Sequence, residues 1–137
     1  MNKAFLLIII ITFFSCQTEN SILGSWELNS DSEIIKSQIE IYASGKEIYA
    51  KRTKLSEINK EYGWAKNDIC WKDIKKLNDS TYSCIRIAKR LNNGVTEVLE
   101  VESIIEVRSE DLFTIKAFYT DNKLNDEGKI QPYIRLK

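Results

Sequence analysis

The side chains that most often carry out enzyme chemistry are scarce in this chain of 137 residues, which contains no histidine. Without histidine, neither a Ser-His-Asp nor a Cys-His catalytic arrangement can form, and the commonest zinc ligand is missing. Glu100, Glu102 and Glu106 make a regular row of carboxylates, but such a row is typical of a solvated strand face. The oxygen-rich segment 121–127 lacks the EF-hand spacing. We therefore predict a protein that is not an enzyme, with no cofactor and no metal.

Cys16 carries the clearest chemical signal, because it ends an N-terminal segment typical of a secretory signal. Lys3 supplies positive charge, residues 4–14 are almost entirely apolar, and Ser15-Cys16 looks like the end of a lipoprotein cleavage box. Cleavage before Cys16 would expose an amino group and a thiol for acylation, for example with palmitate. The common box has Leu and a small residue where this chain has Phe13-Phe14. The alternative is an uncleaved anchor, although the apolar run is shorter than the roughly 20 residues of a span.

These signals divide the chain into a lipoprotein signal peptide (1–15), a lipidated tether (16–21) and one domain (22–137). The prediction is a protein of the bacterial cell envelope, held to a membrane by its N-terminal lipid. Lys and Arg number 20, as do Asp and Glu, so the formal net charge is zero. Nucleic-acid binding normally requires a basic surface, so no nucleic-acid partner is predicted.

Cys70 and Cys84 are the two cysteines that remain after lipidation. The compartment beyond the inner membrane permits disulfides, so a Cys70–Cys84 bond is one interpretation. The other is a pair of buried free thiols. A hairpin with its turn at 77–80 would place Cys84 near Asp73 rather than opposite Cys70, so both interpretations stay open.

Arg52 is the candidate ligand-binding charge. Ser44-Gly45 is a two-residue hairpin signal, and it sets a register for the strands on either side. The predicted cross-strand pairs are Ile41 with Ile48, Ile39 with Ala50, and Ser37 with Arg52. An inward arginine would pair with an internal carboxylate or await an anionic ligand; alternatively, the strand has twisted outward and Arg52 is solvated.

The elements that position these residues are strands. Apolar and polar residues alternate through most of 22–137, which is the period of a half-buried strand, and turn signals separate about eight such runs. This pattern predicts an all-β fold, an antiparallel up-and-down barrel, with a short helical or irregular insertion near 55–66. Trp64 lies near the end of that insertion, either as an aromatic lid or packed against the outer rim of the barrel. The candidate ligand-binding set is Arg52, Ile39, Ile41, Ile48 and Trp64.

Gly24-Ser25-Trp26 near the start of the domain and Tyr133-Ile134-Arg135 at its end resemble lipocalin-like (calycin) barrels. The segments 38–49 and 67 onward are similar to a family of small bacterial lipoproteins of that shape whose function is unknown. The resemblance implies structural roles for Gly24, Trp26 and Arg135, with the arginine stacked on the tryptophan where the first and last strands meet. It also implies carriage or sensing of a small apolar or amphipathic ligand.

Two functions remain open at this point. One is a ligand-binding barrel, since an eight-stranded barrel can be just wide enough for one small molecule. The other is a protein-interaction module whose interior is filled by its own side chains and whose partner is not identified by the sequence. A cavity of a few hundred Å³ would favour the first, and a filled interior the second.

Overall fold

The computed structural model describes residues 21–118 and 130–137. Eight antiparallel strands form a closed barrel in which each strand pairs with the next and the last returns to the first. In chain order they are β1 (Gly24–Leu28), β2 (Gln38–Ser44), β3 (Glu47–Lys54), β4 (Ile69–Lys76), β5 (Thr81–Asn92), β6 (Val95–Ser109), β7 (Leu112–Phe118) and β8 (Ile130–Arg135), with helix α1 (Glu57–Glu61) between β3 and β4. The predicted all-β up-and-down barrel with an insertion near 55–66 is confirmed.

Three predictions concern residues outside the described part of the chain: the signal peptide (1–15), Cys16 in the tether, and the absence of a cation site in 121–127. Within residues 21–118 and 130–137, no helix has the length and apolarity needed to cross a membrane.

The turn between β2 and β3 is one residue later than predicted. Ser44 pairs with Glu47, so Gly45 and Lys46 form the turn, and Gly45 has a φ of +62°. A type II′ turn needs positive φ at its first central residue, which glycine adopts without steric cost and serine does not. The predicted pairs are therefore wrong by two positions: Ile41 lies opposite Ala50, and Arg52 lies opposite Ile39. Because the shift is even, every side chain keeps its face.

The turn between β5 and β6 has an Asn-Gly pair at its centre. Asn92 pairs with Val95, and the two residues between them, Asn93 and Gly94, have φ values of +51° and +77°. Positive φ at both central positions is the type I′ geometry, which matches the right-handed twist of the strands. This turn sets the register of the longest hairpin in the barrel.

The barrel has two unlike ends. The closed end contains Gly24, Trp26 and the turn at 45–46; the open end contains Leu28, Ser37 and the connection that carries α1. Inside, four rings pack edge to face or stacked with centroids 4.5 to 5.9 Å apart, namely Trp26, Trp71, Phe113 and Tyr133. We call these four residues the aromatic cluster. Each is at most 4% exposed, so the cluster fills the barrel interior from the closed end.

Candidate ligand-binding cavity

A cavity of about 670 Å³ lies at the open end of the barrel. Its apolar wall is formed by Leu28, Ile35, Ile58, Ile87, Ile130 and Pro132, and Tyr133 of the aromatic cluster also lines it. Its polar wall includes the three cations Arg52, Arg86 and Lys89, together with Asn59 and Gln131. A volume of this size falls within the range of small-molecule sites, and the lining combines apolar and polar residues in comparable numbers.

Helix α1 contributes Ile58 and Asn59 to the cavity wall, and its N-terminus is capped by its own sequence. The Ser56 hydroxyl accepts a hydrogen bond from the Asn59 amide N–H, and the Asn59 side-chain oxygen accepts one from the Ser56 N–H, both at 3.1 Å. This capping box satisfies two amides that a helix start leaves without partners. Gly63, with φ of +81°, then turns the chain so that Trp64 enters the core.

Arg52 lies in the cavity wall and has no carboxylate partner among the described residues. Its guanidinium lies 4.3 Å from the centroid of the Trp64 ring, and its Nη1 donates to the Asn59 side-chain oxygen at 3.3 Å. Its Nε is buried without a hydrogen-bond acceptor in the part of the chain that is described. No internal carboxylate partner for Arg52 is therefore found among the described residues. The alternative in which the strand has twisted outward and Arg52 is solvated is wrong.

Trp64 is 6% exposed and belongs to the core rather than to the outer rim. Besides Arg52, its ring contacts Lys89, whose Nζ lies 4.4 Å from the ring centroid. Lys89 also donates to the Gly63 carbonyl at 2.9 Å and lies 3.6 Å from an Asp68 carboxylate oxygen. Trp64 thus joins the insertion to β3 and β5 while it lines the cavity.

The three predicted isoleucines do not line the cavity. Ile39 and Ile41 are at most 1% exposed and pack in the core, and Ile48 is partly buried against that core. Ile41 and Ile48 lie toward the turn at 45–46, at the closed end, where the aromatic cluster occupies the interior. These three residues pack in the filled part of the barrel and not in the cavity wall, because alternation identifies the inward face but not which part of the interior is filled.

Arg86 is the functional candidate that the sequence analysis missed. Its side chain lines the cavity, and its Nη2 donates to the Gln131 side-chain oxygen at 2.8 Å. A signal was present, since Arg86 follows Tyr82 and Cys84 at a spacing of two, and both of those residues are buried. No comparable signal in the sequence marks Lys89. Its ammonium contacts the insertion between β3 and β4, which is distant in sequence, rather than residues of the neighbouring strands.

Cys70 and Cys84 are both buried, and both thiols are free. Burial raises the pKa of the Cys70 thiol to about 11 and that of Cys84 to about 12. A thiol reacts as its thiolate, so these two residues are suited to packing rather than to nucleophilic chemistry. Among the described residues, no group of three or more His, Cys, Asp or Glu side chains could hold a metal ion.

The expected contact between Trp26 and Arg135 is present at the closed end. The two residues are cross-strand partners of β1 and β8, and the guanidinium lies 4.2 Å from the ring centroid. Arg135 donates from its three guanidinium nitrogens to the backbone carbonyls of Ser21, Leu23 and Glu110 at 2.8 to 2.9 Å. Gly24 lies against it, and a Cβ at this position would be 2.8 Å from Nη1, so the guanidinium would have to shift.

Comparison with protein-family models, curated proteins and solved structures gives no match for this chain. The class of the protein is therefore defined by its structure, an eight-stranded antiparallel barrel with a cavity at one end. Membership of a lipocalin-like lipoprotein family stays a prediction from the sequence.

Proposed function

We propose that this chain is a lipid-anchored barrel of the bacterial cell envelope that binds or senses a small apolar or amphipathic ligand. The observation that carries the proposal is the cavity of about 670 Å³, which is lined by apolar side chains together with charged and amide side chains. The aromatic cluster beneath it supports the same function, because a packed floor excludes water from one end of a bound molecule.

A titration with 1-N-phenylnaphthylamine, an uncharged dye that fluoresces strongly in apolar surroundings, tests the proposal. We expect saturable binding of one dye per chain. Ala88 lines the cavity, whereas Ala43 is exposed at the closed end, so Ala88→Phe and Ala43→Phe add the same group at two places. Ala88→Phe should weaken dye binding at least about tenfold, and Ala43→Phe should leave it unchanged. Absent dye binding, or equal binding by the two variants, would contradict the proposal.

A protein-interaction module is the second candidate. The observation that favours it is the exposed apolar surface where the β5–β6 hairpin ends: Leu91 is 41%, Val95 65% and Val98 60% exposed. If this function is correct, Val95→Ser and Val98→Ser together should abolish binding of a protein partner and leave dye binding unchanged. Loss of dye binding in that variant would instead assign the hairpin to the cavity.

A further inference from the structure

The charged side chains among the described residues that line the cavity are all positive. Three cations line the cavity, Arg52, Arg86 and Lys89, and no Asp or Glu belongs to the described residues that line it. Charged groups that leave water without a counter-charge pay a desolvation cost, so protein interiors normally pair them. The lining formed by the described residues therefore carries an excess of positive charge that an anion would neutralise.

The Lys89 ammonium already has partners within the protein. Its ammonium contacts the Asp68 carboxylate, the Gly63 carbonyl and the Trp64 ring, and its side chain is only 17% exposed. Its charge is therefore compensated by the insertion that it holds in place, whereas the two arginines have no carboxylate partner within residues 21–118 and 130–137.

Both arginines are held by neutral amides. Asn59 accepts from Arg52, and Gln131 accepts from Arg86. An amide oxygen orients a guanidinium without cancelling its charge, and a guanidinium offers five N–H donors. Arg52 retains a buried Nε with no acceptor among the described residues. Donors thus remain in place for a ligand.

The charges of Arg52 and Arg86 both affect the Tyr133 hydroxyl at the cavity floor. Burial raises the pKa of the Tyr133 hydroxyl, and the nearby charges of Arg86 and Arg52 both oppose that shift. Tyr133 lines the cavity and belongs to the aromatic cluster. Trp71 of β4 lies opposite Ala50 of β3 and opposite Arg86 of β5. Arg52, two residues beyond Ala50, and Arg86 therefore stand at nearby levels of the barrel with only β4 between their strands, and both line the cavity.

We propose that Arg52 and Arg86 form an anion-binding subsite for the acidic head group of an amphipathic ligand, a carboxylate or a phosphate monoester, with the apolar tail against the apolar residues that line the cavity. The inference rests on the proposed function, since it assigns the ligand class of the same cavity. A charged acceptor forms shorter and stronger hydrogen bonds with guanidinium than an amide does, so the head group would add binding that an uncharged analogue lacks. Asn59 and Gln131 act as positioning residues that aim the two guanidinium groups.

Competition against bound 1-N-phenylnaphthylamine tests this inference with three ligands that share one tail: dodecanoate, dodecyl phosphate and dodecanol. We expect at least one of the two anions to displace the dye at a concentration at least about tenfold lower than dodecanol does. Whichever anion is preferred identifies the head group. Raising the salt concentration should reduce the preference, because it depends on charge.

The variants Arg52→Gln and Arg86→Gln should each lower that preference, and together they should remove it. Arg90→Gln is the matched control, since Arg90 is exposed, pairs with Glu97 and does not line the cavity. Near-ultraviolet circular dichroism checks that each variant is folded. If Arg52→Gln does not fold, Arg86→Gln carries the test alone, and the preference for the anions should still fall in that variant.

Equal displacement by the anions and dodecanol, or a preference that survives both substitutions, would overturn the anion subsite. In that case saturable binding of the dye and of dodecanol would leave the proposed function standing. If the wild-type protein binds no dye at all, the proposed function fails as well, so the two failures are distinguishable.

Discussion

Arg135 shows how much one side chain contributes at the closed end. Its face stacks on Trp26, while the nitrogens at its edge hold the backbone of the segment before β1 and of the β6–β7 turn. A guanidinium can stack and donate in its own plane at once, whereas an ammonium cannot. Trp26 is fixed further by a 2.8 Å hydrogen bond from its ring nitrogen to the Ile22 carbonyl. Arg135 thus takes part in strand pairing, in packing on the Trp26 ring and in hydrogen bonds to the backbone.

Gly24→Ala should destabilise the barrel more than Gly45→Ala, and denaturant unfolding measures both. Each glycine has positive φ, at +128° and +62° respectively, so both substitutions introduce backbone strain. Gly45 has nothing within 4 Å of a new Cβ, whereas at Gly24 the Cβ would meet Arg135. We expect losses of about 1–2 kcal/mol at Gly45 from strain alone and about 3 kcal/mol at Gly24 from strain and crowding. Equal losses would mean that Arg135 moves aside freely.

At the scale of elements, the insertion between β3 and β4 joins the cavity to the barrel. Backbone hydrogen bonds tie it to β3, from the Arg52 N–H to the Asp68 carbonyl and from the Asn67 N–H to the Arg52 carbonyl, at 2.9 and 2.7 Å. Lys89 ties it to β5. Since α1 has only five residues, these ties and its cap, rather than helix propensity, stabilise it.

Ser56→Ala should loosen α1 without unfolding the barrel. The substitution removes the hydroxyl that accepts from the Asn59 N–H, a loss of about 1 kcal/mol. Hydrogen exchange at the amides of Lys60 and Tyr62 should become about fivefold faster, while amides of β6 and β7 keep their protection. Ser80→Ala, in an exposed turn, is the control. Unchanged exchange at α1 would show that the cap contributes nothing there.

At the scale of the whole molecule, the barrel combines the two kinds of interior that the sequence presented as alternatives, one filled by side chains and one with a cavity. The aromatic cluster fills it from the closed end, and the cavity occupies the open end. The N-terminal segment meets the barrel at the closed end, where Arg135 binds the carbonyls of Ser21 and Leu23. The cavity therefore opens at the end of the barrel away from the point where the chain enters it.

We predict that the protein is acylated on Cys16 and on no other cysteine. Cells supplied with an alkyne-tagged palmitate should label the wild-type protein, and Cys16→Ser should carry no label and remain as unprocessed precursor. Cys84→Ser is the control, because the buried Cys84 thiol is a poor nucleophile and its loss should not affect labelling. Label retained by Cys16→Ser would contradict the lipoprotein interpretation.

The sequence by itself determined the elements of the barrel. Alternation located the strands, and Asn93-Gly94 set the β5–β6 hairpin because an Asn-Gly pair strongly favours a type I′ turn. The Gly24, Trp26 and Arg135 contact also followed, from a resemblance that placed the first and last strands side by side. These features depend on local geometry or on neighbours in the sheet.

Only the tertiary structure decided where the cavity lies and which side chains reach it. Cys70 and Trp71 are adjacent and both buried, where the β3–β4 register shifts, so period-two alternation fails beside the core. Ile41 and Arg52 lie on inward faces of neighbouring strands, yet only Arg52 reaches the cavity. The reason is that filling a barrel depends on the volumes of side chains from all its strands together, and no single strand's pattern contains that information.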